Sequence, residues 1–369
     1  MRIGAVGVGR FGLFALENFT AVDSVSVVAA TSSDPSELAT AAERFGASAM
    51  TDVDELVRRR DVDLVYISTP PFLHHPQAMR ALEAGKHVIC EKPLALSLDE
   101  ADEMVSLAQS SGLLLVANLI QRYSPLFGAV GTVIRSKVLG DLVHASFHND
   151  ASDEHIDGVH WFWDEAKSGG IFVEHGVHFF DLFDGWLGEG EVVAAQRLFR
   201  ADSGFEEQAV CTVRHAGGVL AQHYHGFTRP ARMESQELRL TFELGQLTLY
   251  GWIPTGFDLD AVVDESGLQR LHKIFPAERI SITDTYRGSH RQIVSRQQRR
   301  EVDHTIHLEG DQPIDKYERY GEMVRSLLSD QISWIRDRKH RRTISAKESR
   351  DSLVTALGAT RVATHLRVS

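Results

Sequence analysis

Up to about residue 120, apolar positions fall in short, nearly unbroken runs: RIGAVG (2–7), SVSVVAAT (24–31), DVDLVYIST (61–69), KHVIC (86–90) and LLLVAN (113–118). A strand with one wet face alternates. Runs without alternation predict strands buried on both faces, as in a parallel sheet between two helical layers. The intervening stretches read as amphipathic helices. DPSELATAAERFG offers Asp34 as N-cap, Pro35 at the first helical position, Glu37 at the third and Gly46 as the stop. Ser97 and Glu100 form a capping box ahead of a helix that stops at Gly112. This alternation predicts an α/β, doubly wound Rossmann-like domain over residues 1–120.

After residue 120 the pattern changes. Stretches 142–150, 191–200, 208–215, 219–227, 237–243 and 246–252 read as strands with no helix between most of them. Glycine turns and alternation predict a large, mostly antiparallel open sheet. A helix over 172–188 interrupts it. Apolar residues at Tyr320, Met323, Val324, Leu327, Leu328, Trp334 and Ile335 predict a long helix, and Ser345 with Glu348 opens another. A second, α+β domain over 121–369 follows, its C-terminal helices free to pack back on the first domain. The charged stretch 255–312 has no readable period and receives no assignment.

Composition adds exclusions. A formal net charge of −12 disfavours nucleic acid, and the basic runs RQQRR (296–300) and RDRKHRR (336–342) read as solvated surface. Two cysteines, Cys90 and Cys211, make no disulfide framework, so a reducing, cytoplasmic setting is expected. The N-terminal stretch is broken by glycines and Arg10 and does not read as a signal peptide. The longest aliphatic run, Leu113 to Ala117, is far short of a membrane span.

The chemistry gathers at strand ends. GVGRFG (7–12) is G-x-G-x-x-G between the first strand and first helix. Gly7 permits the turn, Gly9 lets backbone approach a pyrophosphate, and Gly12 allows close helix packing. The helix N-terminus supplies N–H groups and the positive dipole end. At the end of the second strand, Ser32 and Ser33 stand where an acid would hold the ribose 2′-hydroxyl, and Arg10 is near in sequence. Both NAD and NADP are therefore open, with a lean to NADP. Glu91 and Lys92 follow the strand KHVIC, which brings them to the ligand crevice of a parallel sheet. Pro93 fixes the turn.

Three segments resemble the glucose–fructose oxidoreductase/inositol dehydrogenase (Gfo/Idh/MocA) family: GVGRFG, STPPFLHHPQAMRALEAGKHVICEKPLA (68–95) and SGGIFVEHGVHFFDLFDGWLG (168–188). QRYSP (121–125) and YGEMVRSLLSDQISWI extend the likeness. The resemblance implies NAD(P)-dependent redox at a sugar or cyclitol carbon. It makes Lys92 the active-site lysine and His178 the general acid or base. Glu174 stands where the family carries aspartate, four residues before that histidine. Val8, Phe11, Thr69, Pro70 and His74 join the glycines, Arg10, the two serines, Glu91 and Lys92 as expected cofactor contacts. HWFWDEAKSGG (160–170) is expected over nicotinamide and substrate, with Trp161, Trp163, His175, Gln121 and Arg122 as substrate contacts. His and Glu at this spacing can also bind zinc, but the resemblance implies no metal. The rival functions are an NAD-dependent glycosidase of the same fold and a non-catalytic dinucleotide sensor. An uncovered second-domain sheet implies a homodimer or homotetramer.

Overall fold

The computed structural model describes residues 1–311 and 314–368. Position 312, the end of the unassigned stretch, and position 369 lie outside the described residues. The chain forms two compact units, and both are discontinuous in sequence. The first comprises residues 1–123, 156–181 and 320–361; the second comprises 124–155, 182–319 and 362–369. The sequence reading cuts the chain once, near 120, because periodicity reports local elements and not the later segments that join them.

The first unit opens with β1 (Arg2–Val6), α1 (Arg10–Thr20), β2 (Ser26–Thr31), α2 (Pro35–Phe45), β3 (Ser48–Ala49), α3 (Val53–Arg58), β4 (Leu64–Ile67), α4 (His74–Glu83), β5 (His87–Cys90), α5 (Leu98–Ser110) and β6 (Leu115–Ala117). The six strands are parallel, in the order β3-β2-β1-β4-β5-β6. Every residue of β4 and β6 is buried, which is why these runs do not alternate. Leu16 and Phe19 of α1 are fully buried, Phe19 edge-on to Tyr66 at 5.0 Å, each contributing about 1.5–3 kcal/mol. Asp34 caps α2 as expected, accepting from the Ser36 N–H, and Gly46 ends it in the left-handed conformation.

The chain continues through α6 (Pro125–Ser136) and β7 (Leu142–Ser152), then α7 (Glu165–Ser168). The predicted single helix over 172–188 is two elements: a π turn, Phe172–Gly176, and then α8 (Val177–Leu187). The remaining elements are β8 (Glu191–Arg200), β9 (Glu206–Arg214), β10 (Leu220–Arg229), β11 (Ser235–Phe242), β12 (Gly245–Tyr250), β13 (Gly256–Val263), α9 (Glu265–Ile274), β14 (Arg279–Thr285), β15 (Gln292–Ser295), β16 (Gln298–Glu301), β17 (His304–Asp311), α10 (Lys316–Arg336), α11 (Ala346–Val362) and β18 (Thr364–Val368). The second unit is built on a ten-stranded sheet, β14-β17-β13-β12-β11-β7-β10-β9-β8-β18. Its pairs are antiparallel except β7 with β10 and β8 with β18. In β10 the alternation is visible: Ala221, His223 and His225 are buried, Leu220 and Gln222 exposed. The unassigned stretch supplies β13 to β17 and α9; β15 and β16 form a small hairpin of their own.

Within the first unit, α11 is tied to β6, the Ser349 hydroxyl accepting from the Ala117 N–H at 2.8 Å. Arg350 reaches Asp102 of α5. No helix among the described residues is long and apolar enough to cross a membrane.

Candidate active site and dinucleotide groove

β1, β4 and β5 are neighbours in a parallel sheet, so the turns that follow them emerge on one edge. The turn after β1 is the glycine loop. Gly7 has φ +82°, and a β-carbon there would lie 2.7 Å from the Ser68 carbonyl oxygen. Gly12 is closed in the same way, 2.5 Å from Ser68 Oγ. The Ser68 hydroxyl itself donates to the Gly7 carbonyl at 2.8 Å, locking the turns after β1 and β4 together. Gly9 differs: a β-carbon there would meet nothing nearer than the Glu37 carboxylate, at 3.4 Å. It faces a groove of about 660 Å³ that begins at the N-terminus of α1.

That groove gathers Gly7, Gly9, Arg10, Phe11, Gly12, Ser32, Ser33, Thr69 and Pro70. It also takes His160 and Trp161, whose rings lie 4.9 Å apart, so the HWFW segment borders the glycine loop. An open cradle over Gly9, free N–H groups at a helix start and a long concave wall fit a dinucleotide diphosphate. Val8 is fully buried behind the loop. His74 is also fully buried, its ring nitrogens 2.7 Å from the Pro93 carbonyl and 2.8 Å from that of Thr69. It thus straps the turn after β4 to the turn after β5. Burial pushes its pKa down, against the pull of the two carbonyls.

The turn after β5 separates the two charges that the sequence sets side by side. Glu91 points inward, and one of its oxygens accepts from the Tyr66 hydroxyl and the Asn118 amide, both at 2.7 Å. Burial raises its pKa to about 7, in spite of those bonds and of Lys92. The Lys92–Pro93 peptide is cis. Lys92 donates to Glu174 twice, to the carboxylate at 2.5 Å and to the backbone carbonyl at 2.7 Å. Glu174 and His175 lie on the π turn and His178 in the first turn of α8. Glu174 and His178, four residues apart, are thus carried not by one regular α-helix but by a wider i→i+5 turn, a form frequent at functional sites, and the helix that follows it. His178 is 4% exposed, and burial, then Lys92, then His175 hold its pKa well below the ordinary value. His175 is lowered to about 3 by burial and then by Lys92. Both rings are therefore neutral at physiological pH.

The other expected substrate residues separate. Arg122 grips both Asp181 carboxylate oxygens, at 3.0 and 2.7 Å, and so braces the start of α8. Burial raises Asp181 to about 6, and Arg122 opposes the rise. Gln121 is buried. The Trp163 indole donates to the Asp157 carbonyl at 3.0 Å and meets Phe162 edge-on. No group of His, Cys, Asp or Glu able to hold a metal lies among the described residues. Sequence reasoning missed Tyr66 and Asn118 as the seat of Glu91, and Glu37 as a wall of the groove. Glu37 is one turn into a helix after a motif, a place usually explained by capping.

The description "Oxidoreductase family, NAD-binding Rossmann fold" matches residues 1–119, and "GFO/IDH/MocA C-terminal domain" matches residues 127–248. The 1,5-anhydro-D-fructose reductase of Ensifer adhaerens is 33% identical over 233 residues, 59% of this chain and 69% of the relative. The myo-inositol 2-dehydrogenase of Thermotoga maritima is 27% identical over 230 residues, 60% and 66% of the two chains. The crystal structure of KijD10, a 3-ketoreductase from Actinomadura kijaniata in complex with NADP and TDP-benzene, superposes with a TM-score of 0.76 at 19% identity, covering 100% of this chain and 99% of the other. Likeness at that identity establishes the fold, and the sequence matches establish the lineage: the chain belongs to the Gfo/Idh/MocA family of oxidoreductases with an NAD-binding Rossmann fold.

Proposed function

We propose that this protein is an NAD(P)-dependent oxidoreductase acting on the secondary alcohol or ketone carbon of a sugar, cyclitol or related polyol. The observation that carries the reading is the Lys92 ammonium, held by Glu174 beside a neutral, buried His178. A nicotinamide bound along the groove supplies the hydride acceptor or donor. Everything else is the work of side chains. An ammonium has three N–H donors, and Glu174 takes two, which leaves one for the oxygen of the reacting carbon. His178, kept neutral, accepts the hydroxyl proton as the C–H bond gives up its hydride. In the reverse direction the imidazolium returns that proton to the ketone oxygen. Glu174 fixes the position of Lys92, and Arg122 with Asp181 fixes the start of α8. Trp161 and His160 line the groove proposed for the dinucleotide, at the end from which Trp161 would reach the substrate. A screen of sugars and inositols with NAD and NADP, read at the absorbance of the reduced nicotinamide, tests this. Stoichiometric cofactor turnover is expected. Glycoside cleavage without net cofactor change would replace the reading with the glycosidase alternative.

We also propose pairing of copies across the open face of the ten-stranded sheet, in a reducing, cytoplasmic setting. In support, Ser146, Gln222, Tyr224, Gln236 and Arg239 border a depression of about 590 Å³ on that sheet, and both cysteines are free thiols. Light scattering is expected to give a dimer or tetramer. A monomer whose mass is unchanged by Tyr224→Arg would contradict it.

A further inference from the structure

We infer that Glu37 reads the adenosine ribose and makes this protein selective for the dinucleotide without a 2′-phosphate. The inference rests on the NAD(P) reading above and decides between its two cofactors. The acid expected at the end of β2 is missing, since Ser32 and Ser33 stand there. Taken alone, that pattern leaves room for a 2′-phosphate. The fold supplies the carboxylate from α2 instead.

Glu37 is the third residue of α2, the position from which a capping box returns to the N-cap N–H. Here that N–H, on Asp34, is taken by the Ser32 hydroxyl oxygen at 3.2 Å. The Asp34 carboxylate serves the Ser36 N–H and hydroxyl at 2.8 and 2.7 Å. Glu37 is thereby released from capping. One of its oxygens accepts from the Ser32 hydroxyl at 3.0 Å. The other stands 3.4 Å from the point a β-carbon on Gly9 would occupy. Glu37 thus spans from the end of β2 to the open side of the glycine loop, where the ribose next to the diphosphate belongs.

The other charges along the groove are accounted for differently. Asp52 is turned to the Glu55 N–H as a helix cap, at 2.8 Å. Arg80 lies 3.6 Å from Asp54. Arg10 is exposed at the start of α1. A ribose diol offers two O–H donors to a carboxylate. A 2′-phosphate offers only negative charge to it, and both partners would be desolvated without compensation.

The test is direct binding of NADH and NADPH to the full chain, followed by tryptophan fluorescence and by calorimetry. The wild type is expected to bind NADH about ten- to a hundredfold more tightly than NADPH, the range of a charged hydrogen bond. Glu37→Gln keeps the shape and removes the charge. It is expected to weaken NADH about tenfold and tighten NADPH, so that the two converge. Equal affinity in the wild type, preference for NADPH, or a parallel loss of both in the variant would each overturn the inference while leaving the oxidoreductase reading in place. Failure of both dinucleotides to bind would remove both. The wild-type preference is measured without any substitution, so a poorly folding variant does not protect the inference.

Discussion

Each unit of this protein contains an ion pair almost shielded from water, and the two are built differently. In the second unit Arg197 and Glu206 join the adjacent strands β8 and β9 with side chains 2% and 8% exposed. Two parallel bonds, 2.7 and 2.8 Å, occupy one edge of the guanidinium and both carboxylate oxygens. In the first unit Lys92 and Glu174 are 17% and 14% exposed. One bond is to a side chain and the other to a backbone carbonyl, on a turn whose hydrogen bonding is already widened. A forked, bidentate cation fixes geometry, and at 2% exposure the rest of the guanidinium is out of a ligand's reach. An ammonium with an unused N–H, next to two histidines kept neutral, is a pair with chemistry still to perform. An ion pair's role therefore follows from whether its remaining donors can be reached, and only those of Lys92 can.

The largest effect is expected from neutralising Lys92 and Glu174 together. Lys92→Met with Glu174→Gln removes both charges together and avoids stranding either one. Turnover is expected to fall about 10²- to 10⁴-fold, the usual contribution of a placed proton-managing group, with dinucleotide affinity retained. His178→Ala is expected to do the same. Retained turnover in either variant, or lost dinucleotide binding with turnover intact, would place the reacting carbon elsewhere.

The opposite outcome is expected at Arg197. Arg197→Met alone takes the guanidinium away from the buried Glu206 carboxylate, a loss of about 3–5 kcal/mol in a denaturant titration. Folded protein should turn over normally. A loss below about 1 kcal/mol would mean that the strands hold the carboxylate without the guanidinium, and that this pair is not what fixes their geometry.

How much of this was visible in the sequence follows from which interactions are local. The parallel strands, the caps at Asp34 and Ser97 and the glycine loop depend on neighbours within a few residues, and periodicity finds them. Lys92 is marked by what precedes it, a buried strand that ends in charges. The partner of Lys92 lies 82 residues away, and the π turn that presents it looks like an ordinary helix because the apolar spacing of α8 continues through it. Stretch 255–312 is opaque for a related reason. In β14 every residue is exposed or half-buried, which leaves no alternation there, whereas β13 buries Phe257, Leu259, Ala261 and Val263 in turn, a period masked by the charges between them. Glu37 is legible in the sequence as the third position of a helix. Its direction could not be read, because that depends on Ser32 taking the Asp34 N–H.

The smallest effect concerns Glu91, the charge beside Lys92 that turns inward. Its folded pKa of about 7 lies above the ordinary 4.5, with burial as the first cause. Between those values the native protein keeps a proton that the unfolded chain releases. Stability from this group is therefore complete below about pH 4.5 and is lost as pH rises through about 7. Moving a carboxyl that far amounts to on the order of 3 kcal/mol. Both the Tyr66 and Asn118 bonds end on one oxygen of Glu91, so the carbonyl oxygen of a glutamine can accept both. Glu91→Gln should thus match the wild type near pH 4.5 and exceed it in stability near pH 8, in urea titrations at the two pH values. Parallel stability curves for the two proteins would mean that Glu91 is ionised when buried, stabilised by Lys92 as its neighbour. The two charges of the turn after β5 would then act as one unit, and the division of labour between an inward acid and an outward ammonium would have to be abandoned.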